Sequence, residues 1–412
     1  MDGRVRLLAV SHEASQTGAP IVLAFLLDWL KKNSDVSVRT LLVEDGPLRA
    51  RFEGAGEVSA LTDRSGAELL GFIERGLLAR GAGRLRRVPS ALRYLPAFAS
   101  IGRFDLVYLN SLTTLDVVPF LKQPTRVIAH IHEGPLTIAS WRRTHAPKPR
   151  HLALVERWIA VSEETAEAIE SLPGVARDTV VLHHPFIDVG AAQDRTVSAD
   201  ELGSLRISMG IPPDAQVVVG SGTIDRRKGP DLFVQLAMAV RTGRRDDERP
   251  VHFVWVGGDL TGLDWPHLEA DLQRTGADHV LDRHVADPWP LFHLADVFAL
   301  TSREDPFPLV CMEHAALGVP VVAYDSSGIT HLLAEAGPLA ADGIVPIWTS
   351  RPWRHECETF SRIRRGLTKP ACSRRPRSPP GTTSRWAAER SPRSSACDLV
   401  ASALTTAPRT IA

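Results

Sequence analysis

Cysteine is scarce in this chain. Only four occur in 412 residues, and three of them stand near the end, at Cys357, Cys372 and Cys397. Such spacing offers neither a disulfide framework nor a thiolate metal site. The fourth, Cys311, falls on an apolar helix face, where a thiol is most simply a core residue. Net charge is missing too, with 48 Lys and Arg against 48 Asp and Glu. Residues 343–412 carry 13 of those bases and 4 of those acids, so the first 342 are net acidic. That argues against a nucleic-acid binder, whose main body should carry the positive field. Long apolar runs are absent as well. Asp28 interrupts the best of them, Ile21 to Leu30, well short of the roughly 20 residues of a bilayer span. The run Val5–Val10 is strand-length and passes straight into polar residues, unlike a signal peptide, so the cytoplasm is the expected compartment.

What is present is an ordinary globular composition, 44% apolar and 23% charged, with length enough for two domains. Strand-like runs alternate with helical patterns. In the first half they are Val5–Val10, Val36–Val43, Asp105–Leu109, Arg126–Ile131, Trp158–Val161 and Thr179–Leu182. In the second they are Gln216–Val219, His252–Val256, Val280–Arg283, Val297–Leu300 and Pro320–Ala323. Short strands separated by helices predict an α/β protein with parallel sheets whose strand C-terminal ends share one edge. A polar interval, 190–200, predicts a linker between a domain spanning 1–189 and another spanning 201–345. Two doubly wound domains facing one another would create a cleft, a favoured place for ligands. Around 80–103, six arginines alternate with apolar residues. This is either a helix with its stripe turned inward or a basic amphipathic segment for peripheral contact with the inner face of a membrane. Residues 346–412 are rich in Arg, Pro and Ser without helical or strand period and are expected to be disordered. An out-of-frame translation of a GC-rich gene beginning near Val345 would have this composition.

Chemistry-bearing residues gather where strands end. Ser302–Glu313 follows the run Val297–Leu300 and places Asp305 at a strand end and Glu313 in the next helix. Two carboxylates there can accept hydrogen bonds from sugar or ribose hydroxyls. The segment Gly220–Asp231 offers Gly222, the cations Arg226, Arg227 and Lys228, and then a helix, which suits a diphosphate; a solvated basic turn is the plainer reading. Val254–Val256 ends in Gly257 and Gly258. His130–Pro135 puts His132 at another strand end, where a histidine is often only a structural group. Between the first strand and an apolar helix beginning near Ile21 lies Ser11–Pro20, ending in Thr17, Gly18, Ala19 and Pro20, a turn whose amides favour an anion; a plain turn before a capped helix fits these residues as well. Asp325–Thr330 forms a similar turn.

These residues, with Asp305-x7-Glu313 inside Ser302…Val310, with Lys228-Gly229, and with Thr17-Gly18-Ala19-Pro20, resemble the retaining glycosyltransferases of family 4. Trp158–Glu163 and Val180–Phe186 are similar to that family's segments as well. The resemblance covers about residues 4 to 345, with Asp305, Thr223 and His331 standing where the family commonly has Glu, Arg and Glu. It implies a GT-B fold of two Rossmann-like domains, and it implies roles. Glu313 would bind the ribose of a nucleotide-diphosphate sugar, in a site shared with Phe307, Leu309, Val310, Gly222, Gly257 and Gly258. Asp305 would hold the transferred sugar, and Lys228 with Arg226 or Arg227 would neutralise the departing diphosphate. His132 would face the sugar's reacting end, and Thr17, Gly18 and Ala19 would meet phosphate or acceptor.

The expected function is therefore retaining transfer of a sugar from a nucleotide sugar to a hydroxyl of a glycan or lipid-linked acceptor, in surface polysaccharide or glycolipid synthesis. No metal or other cofactor is expected, because fixed cations can stabilise the leaving group. Two other readings stand beside it: an inactive, truncated nucleotide-sugar-binding protein, and a nucleotide-sugar epimerase of the same fold.

Overall fold

The computed structural model describes residues 4–62, 103–121, 125–242, 249–258, 264–275, 279–281, 287–326, 328–335 and 344–345. The chain divides into two compact units, with the boundary after Pro185.

The first unit is built on a seven-stranded sheet: β1 (Val5–Ser11), β2 (Val36–Glu44), β3 (Glu57–Thr62), β4 (Leu106–Asn110), β5 (Arg126–Ile131), β6 (Arg157–Ala160) and β7 (Val180–Leu182). Their order is β3-β2-β1-β4-β5-β6-β7, all parallel. Alternate residues of one strand enter opposite layers. Leu8 and Val10 pack with Val107 and Leu109 on one face, while Leu7 and Ala9 pack with Leu106 and Tyr108 on the other. With both faces covered, the strands read as unbroken apolar runs in the sequence. The helix Gly18–Asn33 closes one face through Leu23, Leu26, Leu27 and Leu30.

The second unit repeats the plan with β8 (Gln216–Ser221), β9 (Val251–Val256), β10 (His279–Leu281), β11 (Val297–Leu300), β12 (Val321–Tyr324) and β13 (Ile344–Val345). The order is β10-β9-β8-β11-β12-β13, again parallel throughout. Val217, Val219 and Phe298 serve one layer, and Val218, Val297 and Ala299 the other. In each unit the chain winds first to one side and then to the other. The reversal leaves a switch point between β1 and β4 in the first unit and between β8 and β11 in the second, which is where open α/β sheets take ligands.

Three features differ from the sequence reading. The interval 190–200, expected as a polar linker, carries helix: Val189–Asp194 buries Ala192, and Gln193 donates to the Ala316 carbonyl at 3.2 Å. A second helix, Ala199–Ser208, begins before the interval ends. The first helix starts at Gly18, not near Ile21. The edge strand β3 went unforeseen. The basic segment, apart from Arg103, and the tail 346–412 lie outside the described residues. Among those residues no helix is long and apolar enough to cross a membrane.

Candidate functional site

At the second unit's switch point, the loop after β8 and the loop after β11 are stitched together. The Arg303 N–H donates to the Arg227 carbonyl at 2.7 Å, and the Thr301 hydroxyl donates to the Gly229 carbonyl at 2.9 Å. Arg303 also grips the carboxylate of Asp231 with two nitrogens, at 2.8 and 2.7 Å. Gly229 has φ +68°, and a Cβ there would stand 2.2 Å from the Thr301 carbonyl oxygen, so only glycine allows this approach. From the far side, a Cβ on Gly328 would fall 1.7 Å from the Pro306 carbonyl oxygen. The loops after β8, β11 and β12 thus converge.

This convergence sets Lys228 Nζ 2.5 Å from Asp305 Oδ2. The two side chains are 18% and 7% exposed, so the pair is shielded from solvent. Glu313 lies a little over one turn into the helix Leu309–Ala316. Burial pushes its carboxyl up to about 7, against the opposing pull of Arg195. Burial raises the nearby Cys311 thiol, with the charges of Asp305 and Glu313 adding to the rise and Lys228 opposing it. Two hydroxyls nearby, Ser302 after β11 and Ser326 after β12, are buried with no hydrogen-bond partner among the described residues. Orphaned buried hydroxyls are uncommon and mark places where another molecule can donate or accept.

The remaining cations divide. Arg227 is tethered, donating to the Glu304 carbonyl at 3.2 Å. Arg226 is exposed, and no described residue pairs with its guanidinium. Phe307, Leu309 and Val310 stand half-buried at the start of the helix, whose first turn no side chain caps. Gly222, Gly257 and Gly258 bring the ends of β8 and β9 close, with Trp255 Nε1 donating to the Gly222 carbonyl at 3.1 Å. Arg195 was not singled out from the sequence. It lies with its guanidinium over Trp289 and within 3.4 Å of Asp287, on the flank of Glu313.

The first unit gathers a second cluster at its own switch point. His132, after β5, places Nε2 3.0 Å from Asn110 Oδ1, at the end of β4. Asn110 Nδ2 donates to the Ala19 carbonyl at 2.9 Å, which assigns the oxygen of its amide to His132. Nε2 of His132 therefore carries the proton. Burial, helped by the charge on His12, holds His132 down to about 3, so it is neutral. His12, after β1, is raised: burial works against its charge but is outweighed by Glu13. Burial would raise Glu13, but His12 and the hydroxyls of Ser15 and Thr17 draw it down to about 2. Thr17, expected to meet phosphate, spends its hydroxyl on Glu13 at 3.0 Å. Ala19 serves Asn110 through its carbonyl, and Gly18 opens the helix.

Ser111 joins this cluster with a backbone that a side-chain-bearing residue rarely adopts, φ 120° and ψ 153°. That region is nearly glycine-only and costs about 1–3 kcal/mol. Asn110 and Ser111 escaped the sequence reading, though Asn110-Ser111 at the end of a strand is the same signal that marked His132; His12 and Glu13 lay within the segment Ser11–Pro20 but were given no role. Among the described residues no group of three or more His, Cys, Asp or Glu is arranged to hold a metal.

Residues 215–346 match the family model described as glycosyl transferases group 1. D-inositol 3-phosphate glycosyltransferase of Jonesia denitrificans is 28% identical over 219 residues, 49% of this chain and 51% of that protein. The enzyme of the same description from Gordonia bronchialis is 30% identical over 212 residues, 47% of this chain and 43% of that one. The chain spans about half the length of the curated relatives it matches. Among solved structures, Anabaena HepE in complex with UDP and glucose superposes with a TM-score of 0.62. The identity is 16%, over 88% of this chain and 94% of that one. The likeness shows the fold: two Rossmann-like α/β units of the GT-B class.

Proposed function

We propose that this protein is a retaining glycosyltransferase that moves a sugar from a nucleotide diphosphate to an acceptor hydroxyl. The observation that carries the reading is the convergence of Lys228, Asp305 and Glu313 at the β8–β11 switch point. A half-buried carboxylate and two buried hydroxyls without partners among the described residues, beside a shielded acid–cation pair, leave polar groups that a hydroxyl-rich, anionic ligand would satisfy. In this reading Glu313 accepts from the ribose hydroxyls. Asp305 holds the sugar and Lys228 the diphosphate. Arg226, exposed and with its guanidinium unpaired among the described residues, closes on the outer phosphate with help from Arg227. Breaking the sugar–phosphate bond sends the electron pair to the phosphate oxygen, where fixed cations stabilise it. The leaving phosphate then accepts the proton of the attacking hydroxyl. The first unit supplies neutral His132 and the loop Thr17–Ala19, the latter for phosphate or acceptor.

Relatives described as D-inositol 3-phosphate glycosyltransferases support a small phosphorylated or glycan acceptor; lipid-linked glycans remain the wider proposal. No metal enters the proposed chemistry, and the donor is a co-substrate. Incubating the chain with labelled nucleotide sugars, with and without D-inositol 3-phosphate, tests the reading. The expected result is slow hydrolysis or transfer with the anomeric configuration kept. Binding of every donor without turnover would replace the transferase with a binding protein, and a product inverted at C2 would indicate an epimerase.

A further inference from the structure

The cluster at the end of β4 and β5 contains one carboxylate that the proposed chemistry does not use. Glu133 accepts from the Ser111 hydroxyl and from the Leu112 N–H, at 3.1 Å to each of its oxygens. It also accepts from the N–H of His132 at 3.0 Å, while its own carbonyl accepts from the Thr165 hydroxyl at 3.1 Å. One carboxylate therefore clasps the turn after β4 to the turn after β5. The residue at the first of these turns is Ser111, the strained one, and its neighbours on either side are Asn110 and Leu112. We propose that Glu133 is a positioning residue, a latch that keeps Ser111 in its strained turn so that Asn110 Oδ1 fixes the Nε2–H tautomer of His132.

The geometry accounts for both the strain and the clasp. A serine leaves a glycine-like backbone conformation unless its surroundings over-determine it. Glu133 supplies that constraint from the neighbouring strand. If the turn relaxed, Asn110 would swing away and either ring nitrogen of His132 could take the proton. With the latch closed, Nδ1 is the nitrogen left without a described partner and keeps its lone pair. The charged and titratable groups around His132 are His12, itself paired with Glu13, on the β1 side and His130 on its own strand. Their rings are linked to it by charge and by a 4.1 Å centroid contact. Neither contacts the Glu133 carboxylate through a described hydrogen bond, but that carboxylate favours protonated His12. A change at Glu133 therefore reaches His132 through the two turns and, separately, through the charge on His12; the tautomer reports the first route.

The kinetic part of this inference rests on the proposed transferase activity; the spectroscopic part does not. The full chain is labelled with 15N-histidine, and the His132 signal is identified by its loss in His132→Asn. In the parent protein the signal stays in the Nε2–H form between pH 8 and pH 5. Glu133→Gln halves the acceptor capacity: the donor end of its amide must face either the Ser111 hydroxyl and the Leu112 N–H or the N–H groups of Leu112 and His132. Its His132 signal is expected to report mixed tautomers at neutral pH in place of the single Nε2–H form. The accompanying kcat falls roughly tenfold to a hundredfold while the donor KM stays within about twofold. Because Glu133→Gln alone can weaken the fold, Glu133→Gln with Ser111→Gly is the second variant. Glycine removes the strain, so the unfolding midpoint returns, yet His132 keeps its mixed signal and kcat stays low. An unchanged His132 signal in Glu133→Gln overturns the proposal. So does recovery of that signal with the midpoint in the double variant, since Glu133 would then only relieve a strained turn. A shifted signal in a protein that turns over no nucleotide sugar supports the latch and defeats the transferase reading instead.

Discussion

Replacing Glu313 by glutamine sets stability and ligand binding against each other. In the folded chain burial lifts this carboxyl from its ordinary value of 4.5 to about 7. Between those values the unfolded chain has given up the proton and the folded chain still holds it. The native state thus binds more protons, and stability falls as pH rises through this window. The difference of about 2.5 pH units corresponds to about 3 kcal/mol of stability, present below pH 4.5 and lost by pH 7. Glutamine keeps the shape and never ionises. Urea denaturation of parent and Glu313→Gln at pH 4.5 and pH 8 yields a double difference in which other titrating groups cancel. The variant should gain on the parent by up to about 3 kcal/mol at the higher pH. Donor affinity should move the other way. Hydroxyls that donate to Glu313 prefer the carboxylate, so nucleotide-sugar affinity rises by up to about tenfold per pH unit between 5 and 7 in the parent. In Glu313→Gln it is weaker and flat across that range. A pH-independent stability difference would show that burial does not raise the Glu313 carboxyl and would refute the reasoning.

Three further perturbations probe the same loops. Lys228→Met removes the cation paired with the shielded Asp305 carboxylate and should cost about 3–5 kcal/mol, with most of it regained in Lys228→Met/Asp305→Asn; urea midpoints of the single and double variants measure this. Gly328→Ala must push the loop after β11 away from the start of the helix Gly328–Glu335. A thermal shift equivalent to about 3 kcal/mol or more and loss of donor binding are expected. Arg226→Ala touches nothing that holds the fold, so its melting temperature should match the parent's. Titration calorimetry with UDP should nonetheless show about tenfold weaker binding, because one charge-assisted contact to phosphate is gone.

The strands buried on both faces were legible because each is a compact apolar run closed by polar or glycine residues. Arg126–Ile131 and Val297–Leu300 agree with the structure to the residue. β3 was not legible. As an edge strand, Glu57–Thr62 alternates polar with apolar residues and has no run to announce it. The interval 190–200 misled for a related reason. Its helix Val189–Asp194 buries one residue, Ala192, and a single buried alanine leaves no stripe to detect.

The acid and the cation of the second unit were legible for a local reason. Each stands a few residues beyond an apolar run, so chain position alone assigned both to the C-terminal edge of one sheet. Their pairing was not local, since 77 residues separate Lys228 from Asp305 and 72 separate Arg303 from Asp231. The first unit makes the contrast sharper. His132 was found by its strand-end position, but what gives it a defined tautomer is Asn110, 22 residues away, which in turn is aimed by Ala19, 91 residues away. No periodicity links such residues. They meet because β1, β4 and β5 are neighbours in a sheet whose order reverses between β1 and β4. Sequence spacing therefore locates the edge where chemistry can occur, and strand order decides which side chains share it. That is why a polar residue directly after an apolar strand, Asn110 or Ser111 here, merits the same scrutiny as a charged one.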